Sequence, residues 1–109
     1  CDVAIQGPGV CAGMGTANTM HIAAEALGLA LPGSTPVLAN GDRMFAFAEA
    51  AGRRIVQMVK EDLKPSAILT PQAFENAVMV GLALSASINL VRHLQAAAVE
   101  ARCHVDIYE

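Results

Sequence analysis

One cysteine, Cys11, sits in the loop Gly7-Pro8-Gly9-Val10-Cys11-Ala12-Gly13-Met14-Gly15, among four glycines and a proline. Glycine lets the backbone take positive φ and approach a bulky group closely. The residues that follow, Thr16-Ala17-Asn18-Thr19, carry the polar side chains typical of a helix start, with Thr16 as the expected N-cap. A helix N-terminus presents unpaired N–H groups and positive partial charge, which suits a thiol acting as a nucleophile or a metal ligand. The same string also reads as a glycine-rich turn holding a small buried cysteine, and spacing alone does not decide between the two. Other candidates are less informative. His21 lacks a partner histidine, and His93 on a helix reads as a structural histidine. Glu25 and Glu75 form no acid–base pair by spacing and read as solvated or capping carboxylates. Ser87 and Asn89 read as helix-capping groups, and Cys103, at a helix end, as a packed thiol.

The elements that must hold these residues are mostly helices. Met20, Ala23, Ala24 and Leu27 form one apolar stripe, which predicts a helix from about Thr16 to Leu29. Pro32, Gly33, Pro36, Asn40 and Gly41 mark residues 30–41 as a connector. A second helix is predicted from about Asp42, its expected N-cap, to Asp62, with Met44, Phe47, Ala48, Ala51, Ile55, Met58 and Val59 on one face and a Glu49–Arg53 pair on its surface. Thr70-Pro71 is a strong start for a third, with a hydroxyl cap and proline at the first helical position. Phe74, Ala77, Val78, Gly81 and Leu82 continue it at helical spacing, with Gly81 read as a site of close helix packing. Ser85-Ala86-Ser87 breaks that run, and a fourth helix is predicted from about Ile88 to Ala101 with Leu90, Leu94, Ala97, Ala98 and Ala101 inward. Val3-Ala4-Ile5 and His104–Tyr108 are candidate short strands. The fold class is therefore mainly α, about four helices, over a single partial domain: a loop at 7–15 and a helical remainder at 16–103.

Composition narrows the function classes. Of 109 residues, 54% are hydrophobic and only 16% charged, rich in apolar side chains for so small a body. This predicts contact with more protein, as a piece of a larger enzyme or an obligate oligomer. The net charge of −3, the acids interleaved among Arg53, Arg54, Lys60 and Lys64, and the absence of Trp argue against nucleic-acid binding. Three cysteines read as reduced thiols of a cytoplasmic protein. The uncharged run Asn76–Val91 falls short of the about 20 apolar residues of a membrane helix and contains Ser85, Ser87 and Asn89, so no membrane span is expected.

Taken whole, Gly9-Val10-Cys11-Ala12-Gly13-Met14-Gly15-Thr16-Ala17-Asn18-Thr19-Met20, followed by Glu25-Ala26-Leu27-Gly28-Leu29 and Leu31-Pro32-Gly33, resembles the iron–sulfur dehydratases: the dihydroxy-acid, phosphogluconate and sugar-acid dehydratase family. Arg53-Arg54-Ile55-Val56, Asp62-Leu63-Lys64-Pro65-Ser66, Ile68-Leu69-Thr70 and Ala73-Phe74-Glu75-Asn76-Ala77 resemble the family's following blocks in order. The resemblance implies an internal piece of a larger α/β N-terminal domain, inactive alone. It implies that Cys11 is one of three thiolate ligands of an iron–sulfur cluster, 2Fe–2S or 4Fe–4S, and that Mg2+ is held by residues outside this chain. Ser87, Asn89 and His93 match the family's Gly-Gly-Ser-Thr-Asn block and its His-Leu pair, without the two glycines and the threonine, so Ser87 and Asn89 are candidate substrate-pocket residues. Cys1-Asp2 is followed by Val3 rather than the lysine of the family's Cys-Asp-Lys motif, and Cys11 follows only ten positions on, so neither Cys1 nor Asp2 is read as a ligand. Cys103 matches no family ligand. The implied reaction removes water from a 2,3-dihydroxy carboxylic acid to give a 2-keto acid. The leading expectation is dihydroxy-acid dehydratase of branched-chain amino-acid synthesis, with a sugar-acid (xylonate, arabonate or gluconate type) dehydratase as the alternative. The catalytic base lies outside the chain, and the partners are the small acid substrate, the rest of the parent enzyme and further copies in a dimer or tetramer. A non-catalytic helical interaction module is the reading from another class.

Overall fold

The computed structural model describes residues 7–35 and 37–108. Val3-Ala4-Ile5 and the Cys1-Asp2 pair lie outside them. Five helices follow one another: α1 Thr16–Ala26, α2 Asp42–Lys60, α3 Pro65–Ile68, α4 Pro71–Ala83 and α5 Asn89–Glu100. The four expected helices are present. The single turn α3 was not expected, because four residues carry no readable period.

The helix starts follow local chemistry, with two corrections. Thr70 caps α4, its hydroxyl accepting the Ala73 N–H at 3.3 Å, and Pro71 occupies the first turn. Gly15 and Gly41, not Thr16 and Asp42, stand at the N-caps of α1 and α2, and no side chain caps either helix. Asp42 lies instead in the first turn of α2, where its charge complements the helix dipole.

The four longer helices end alike. In each, the second residue beyond the C-cap returns its N–H to a carbonyl five positions earlier: Leu29 to Ala24, Leu63 to Met58, Ala86 to Gly81 and Cys103 to Ala98, all at 2.8–2.9 Å. This is the Schellman arrangement, which needs a left-handed residue in between. Gly28 (φ 81°) serves in α1, while Asp62, Ser85 and Arg102 take φ of 52–53° without being glycine. α1 and α2 therefore stop at Ala26 and Lys60, short of the expected Leu29 and Asp62.

The core lies between α1, α4 and α5, formed by Ala23, Leu27, Phe74, Ala77, Leu90, Leu94 and Ala98. Phe74 is fully buried, a burial that stabilises by about 1.5–3 kcal/mol. Small residues let the helices approach closely. A Cβ placed on Gly81 would collide with Leu90 Cδ2, so the expected close packing at this glycine is present.

α2 departs from the expected pattern. Its apolar face exists but buries no residue among those described. Of the expected face, Met44, Phe47 and Met58 are half-buried, while Ile55 is exposed and Val59 is 76% exposed; Phe45 and Val56, beside that face, are open as well. The Glu49–Arg53 pair forms on its exposed surface at 2.5 Å, where such pairs contribute little. The C-terminal segment is not a strand, and no strand forms among the described residues. Val105 and Ile107 do turn toward the core, as their alternation suggests. No neighbouring strand pairs with them there; the Gln95 carboxamide accepts the Ile107 N–H at 2.9 Å and donates to the Val105 carbonyl at 3.4 Å. No described helix is long and apolar enough to cross a membrane.

Candidate functional site

The Cys11 loop is held by the helix that follows it. Asn18, in the first turn of α1, donates its carboxamide N–H groups to the carbonyls of Cys11 (2.9 Å) and Gly13 (2.8 Å). One side chain thereby fixes the backbone on both sides of Ala12. Farther up the loop, Gly9 takes φ 125°, and a Cβ there would stand 2.9 Å from the Ala39 Cβ. Only glycine fits at this point, where the loop meets the connector. Gly15 is different: a Cβ on it would make ordinary contact with the Cys11 sulfur at 3.6 Å. The thiol is exposed, and its nearest acceptor is the Gly13 carbonyl at 3.8 Å. It opens on a cavity of about 640 Å³ that Asn18, His21, Ser34, Leu38 and Met44 also line.

The turn before α5 reaches the same end of α1. The Asn89 carboxamide donates to the Thr16 hydroxyl at 2.7 Å, and the Ser87 hydroxyl lies 3.4 Å from that oxygen. The Ser87 N–H donates to the Thr19 hydroxyl at 2.9 Å, and Thr19 is 1% exposed. The Ser87 hydroxyl accepts the Asn89 N–H at 3.3 Å, but Ile88, not Ser87, stands at the N-cap of α5, and no side chain caps that helix. Ser87 and Asn89 thus share the first turn of α1 with the Cys11 clamp, but neither lines the cavity beside the thiol. His93 is exposed on α5, and Cys103 is half-buried against the core.

Two turns along α1, Glu25 ties down the connector. Its carboxylate accepts the Gly33 N–H (2.6 Å), the Thr35 hydroxyl (2.6 Å) and the Thr35 N–H (3.2 Å). The Thr35 hydroxyl, and then the Gly33 N–H, hold this carboxyl below its usual range, against a smaller opposing effect of burial. This half-exposed carboxylate does not cap a helix; it binds the connector. Its partners lie eight and ten positions on, in a stretch whose sequence signals only turns.

The family model for the N-terminal region of dihydroxy-acid/6-phosphogluconate dehydratases matches residues 1–109. The chain belongs to this family. Among its relatives, the dihydroxy-acid dehydratase of Ignicoccus hospitalis is 52% identical over 97 residues, covering 89% of this chain and 18% of the relative. That of Methanothermobacter thermautotrophicus is 50% identical over 97 residues, with the same coverage. That of Syntrophobacter fumaroxidans is 47% identical over 106 residues, covering 97% of this chain and 19% of the relative. The chain therefore spans less than a fifth of the length of these relatives.

The donor set limits what Cys11 could hold within this chain. Among the described residues, no three His, Cys, Asp or Glu side chains come together to hold a metal ion. Cys11 offers one thiol on a cavity with its backbone clamped, which suits a single donor to a cluster completed by residues from elsewhere. Cys103 packs on the core and adds no second donor.

Proposed function

We propose that the parent of this chain is a hydro-lyase that dehydrates a 2,3-dihydroxy carboxylic acid to a 2-keto acid, and that it is the dihydroxy-acid dehydratase of branched-chain amino-acid synthesis. The observation that carries this reading is the exposed Cys11 thiol, fixed by Asn18 beside a cavity, in a chain about half identical to relatives of that name. Cys11 would hold one iron of an iron–sulfur cluster, whose remaining ligands, like those of Mg2+, lie outside this chain. When bound, the cluster supplies a Lewis-acidic iron that makes hydroxide a better leaving group.

The chain's own residues bind and orient. Asn18 sets the conformation of the Cys11 loop. Gly9 lets that loop rest on Ala39. The Thr16–Ser87–Asn89 contacts fix the turn before α5 at the same helix end, from which Ser87 and Asn89 would contribute to the substrate pocket. None of these residues is assigned the role of proton-removing base. The open face of α2 supports burial against the rest of the parent, or a second copy in a dimer or tetramer. Assay of the full-length enzyme against 2,3-dihydroxyisovalerate, xylonate and arabonate tests the reading. Preferential turnover of the first is expected. Preference for a sugar acid reassigns the substrate, and turnover of none overturns the proposal.

A further inference from the structure

The cysteine loop and the connector both line the cavity beside Cys11, and each is tied to α1. Asn18 holds the cysteine loop, and Glu25 holds the connector. The two residues are seven positions apart, two helical turns on the same face, a rise of about 10 Å. The connector residues Ser34, Thr35, Val37, Leu38 and Ala39 line the same cavity as the thiol. Their own backbone bonds are local: Ser34 to Leu31, Val37 to Thr35, and Gly41 to Leu38. Among the described residues, Glu25 is the side chain that ties this segment to a helix. Both carboxylate oxygens are engaged, Oε1 by Gly33 and Oε2 by Thr35. Charge-assisted bonds of this kind are stronger than neutral ones.

We propose that Glu25 is a positioning residue: its carboxylate latches the connector as the wall that covers whatever group fills the Cys11 cavity. This group is a cluster only on the reading given above, on which that part of the inference rests. The latch itself follows from the three hydrogen bonds.

The test uses the full-length enzyme with its cluster and three variants. Glu25→Gln replaces an acceptor oxygen by a donor. Thr35→Val keeps the shape of the side chain but removes its hydroxyl. Thr35→Ser keeps the hydroxyl but removes the methyl group. Hydrogen exchange is followed at residues 33–35 and 37–39, and iron release to a ferrous chelator is timed. Glu25→Gln and Thr35→Val are expected to raise exchange in this segment and to speed iron release about tenfold, with Thr35→Ser close to wild type. A role in packing alone predicts the reverse order for the two Thr35 variants and would overturn the proposal. So would unchanged exchange, or unchanged iron release, in Glu25→Gln. Iron content of Cys11→Ser separates the two readings. If that variant keeps its iron, the ligand reading falls, and the exchange pattern alone decides the latch.

Discussion

The Asn89 carboxamide reaches the Thr16 hydroxyl at 2.7 Å across a sequence separation of 73 residues. It joins the start of α5 to the helix that anchors the Cys11 loop. Removing either partner leaves the other short of a hydrogen bond. Asn89→Ala and Thr16→Val should each destabilise by about 1 kcal/mol. Their double-mutant cycle in chemical denaturation should show coupling of about 0.5–1 kcal/mol. Strict additivity would mean that the contact does not hold the two segments together.

Gly9 cannot carry a side chain without strain. Gly9→Ala combines an unfavourable φ with the collision at Ala39, and should cost about 1–3 kcal/mol in thermal or denaturant unfolding. Adding Ala39→Gly removes the collision but not the backbone strain, so it should restore only part of the loss. Full rescue would show that the backbone itself tolerates alanine.

Glu25 gives the fold a pH dependence whose sign is set. Its folded carboxyl titrates below its unfolded value, so its contribution is fully present above the ordinary glutamate range. That contribution is lost as pH falls through the lowered folded value. Stability curves of wild type and Glu25→Gln should therefore differ at neutral pH and converge in acid. Parallel curves down to the lowest pH would contradict the hydrogen-bonding pattern.

At Gly81, two effects oppose each other. Alanine favours helix by about 1 kcal/mol, but its Cβ must displace the buried Leu90 side chain, which costs about 1–3 kcal/mol. Gly81→Ala should be net destabilising by about 1 kcal/mol in denaturant unfolding. In a Leu90→Ala background the collision disappears and the same substitution should become stabilising. Failure of the sign to reverse would mean that Leu90 is not the obstacle.

How legible these features are in the sequence depends on how far each one reaches. Thr70-Pro71 announces α4 because its cap and its first turn are both local. The helices around Ala23, Phe74 and Leu94 show in the spacing of their apolar residues. Their ends are harder to read, because Asp62, Ser85 and Arg102 adopt the left-handed conformation without the glycine that usually marks it. The amphipathic face of α2 is visible in the sequence, but periodicity says only which side is apolar, not whether anything covers it. Thr16 looks like a cap; its hydroxyl instead meets Asn89, a partner far away in the chain. Glu25 is hidden for the same reason, since its partners are backbone and hydroxyl groups in a segment that shows only turn chemistry. Cys11 stands out through the string around it, and the clamp by Asn18 belongs to that same string.

Whether Cys11 holds a cluster is tested most directly by Cys11→Ser in the full-length enzyme, with iron content and dehydration rate measured together. Iron should fall to a small fraction of the wild-type content and activity should drop by at least about a hundredfold, beyond what loss of an outer-sphere contact does, while helical circular dichroism is retained. Wild-type iron content and undiminished turnover would contradict a ligand role for Cys11 and leave its loop as a turn.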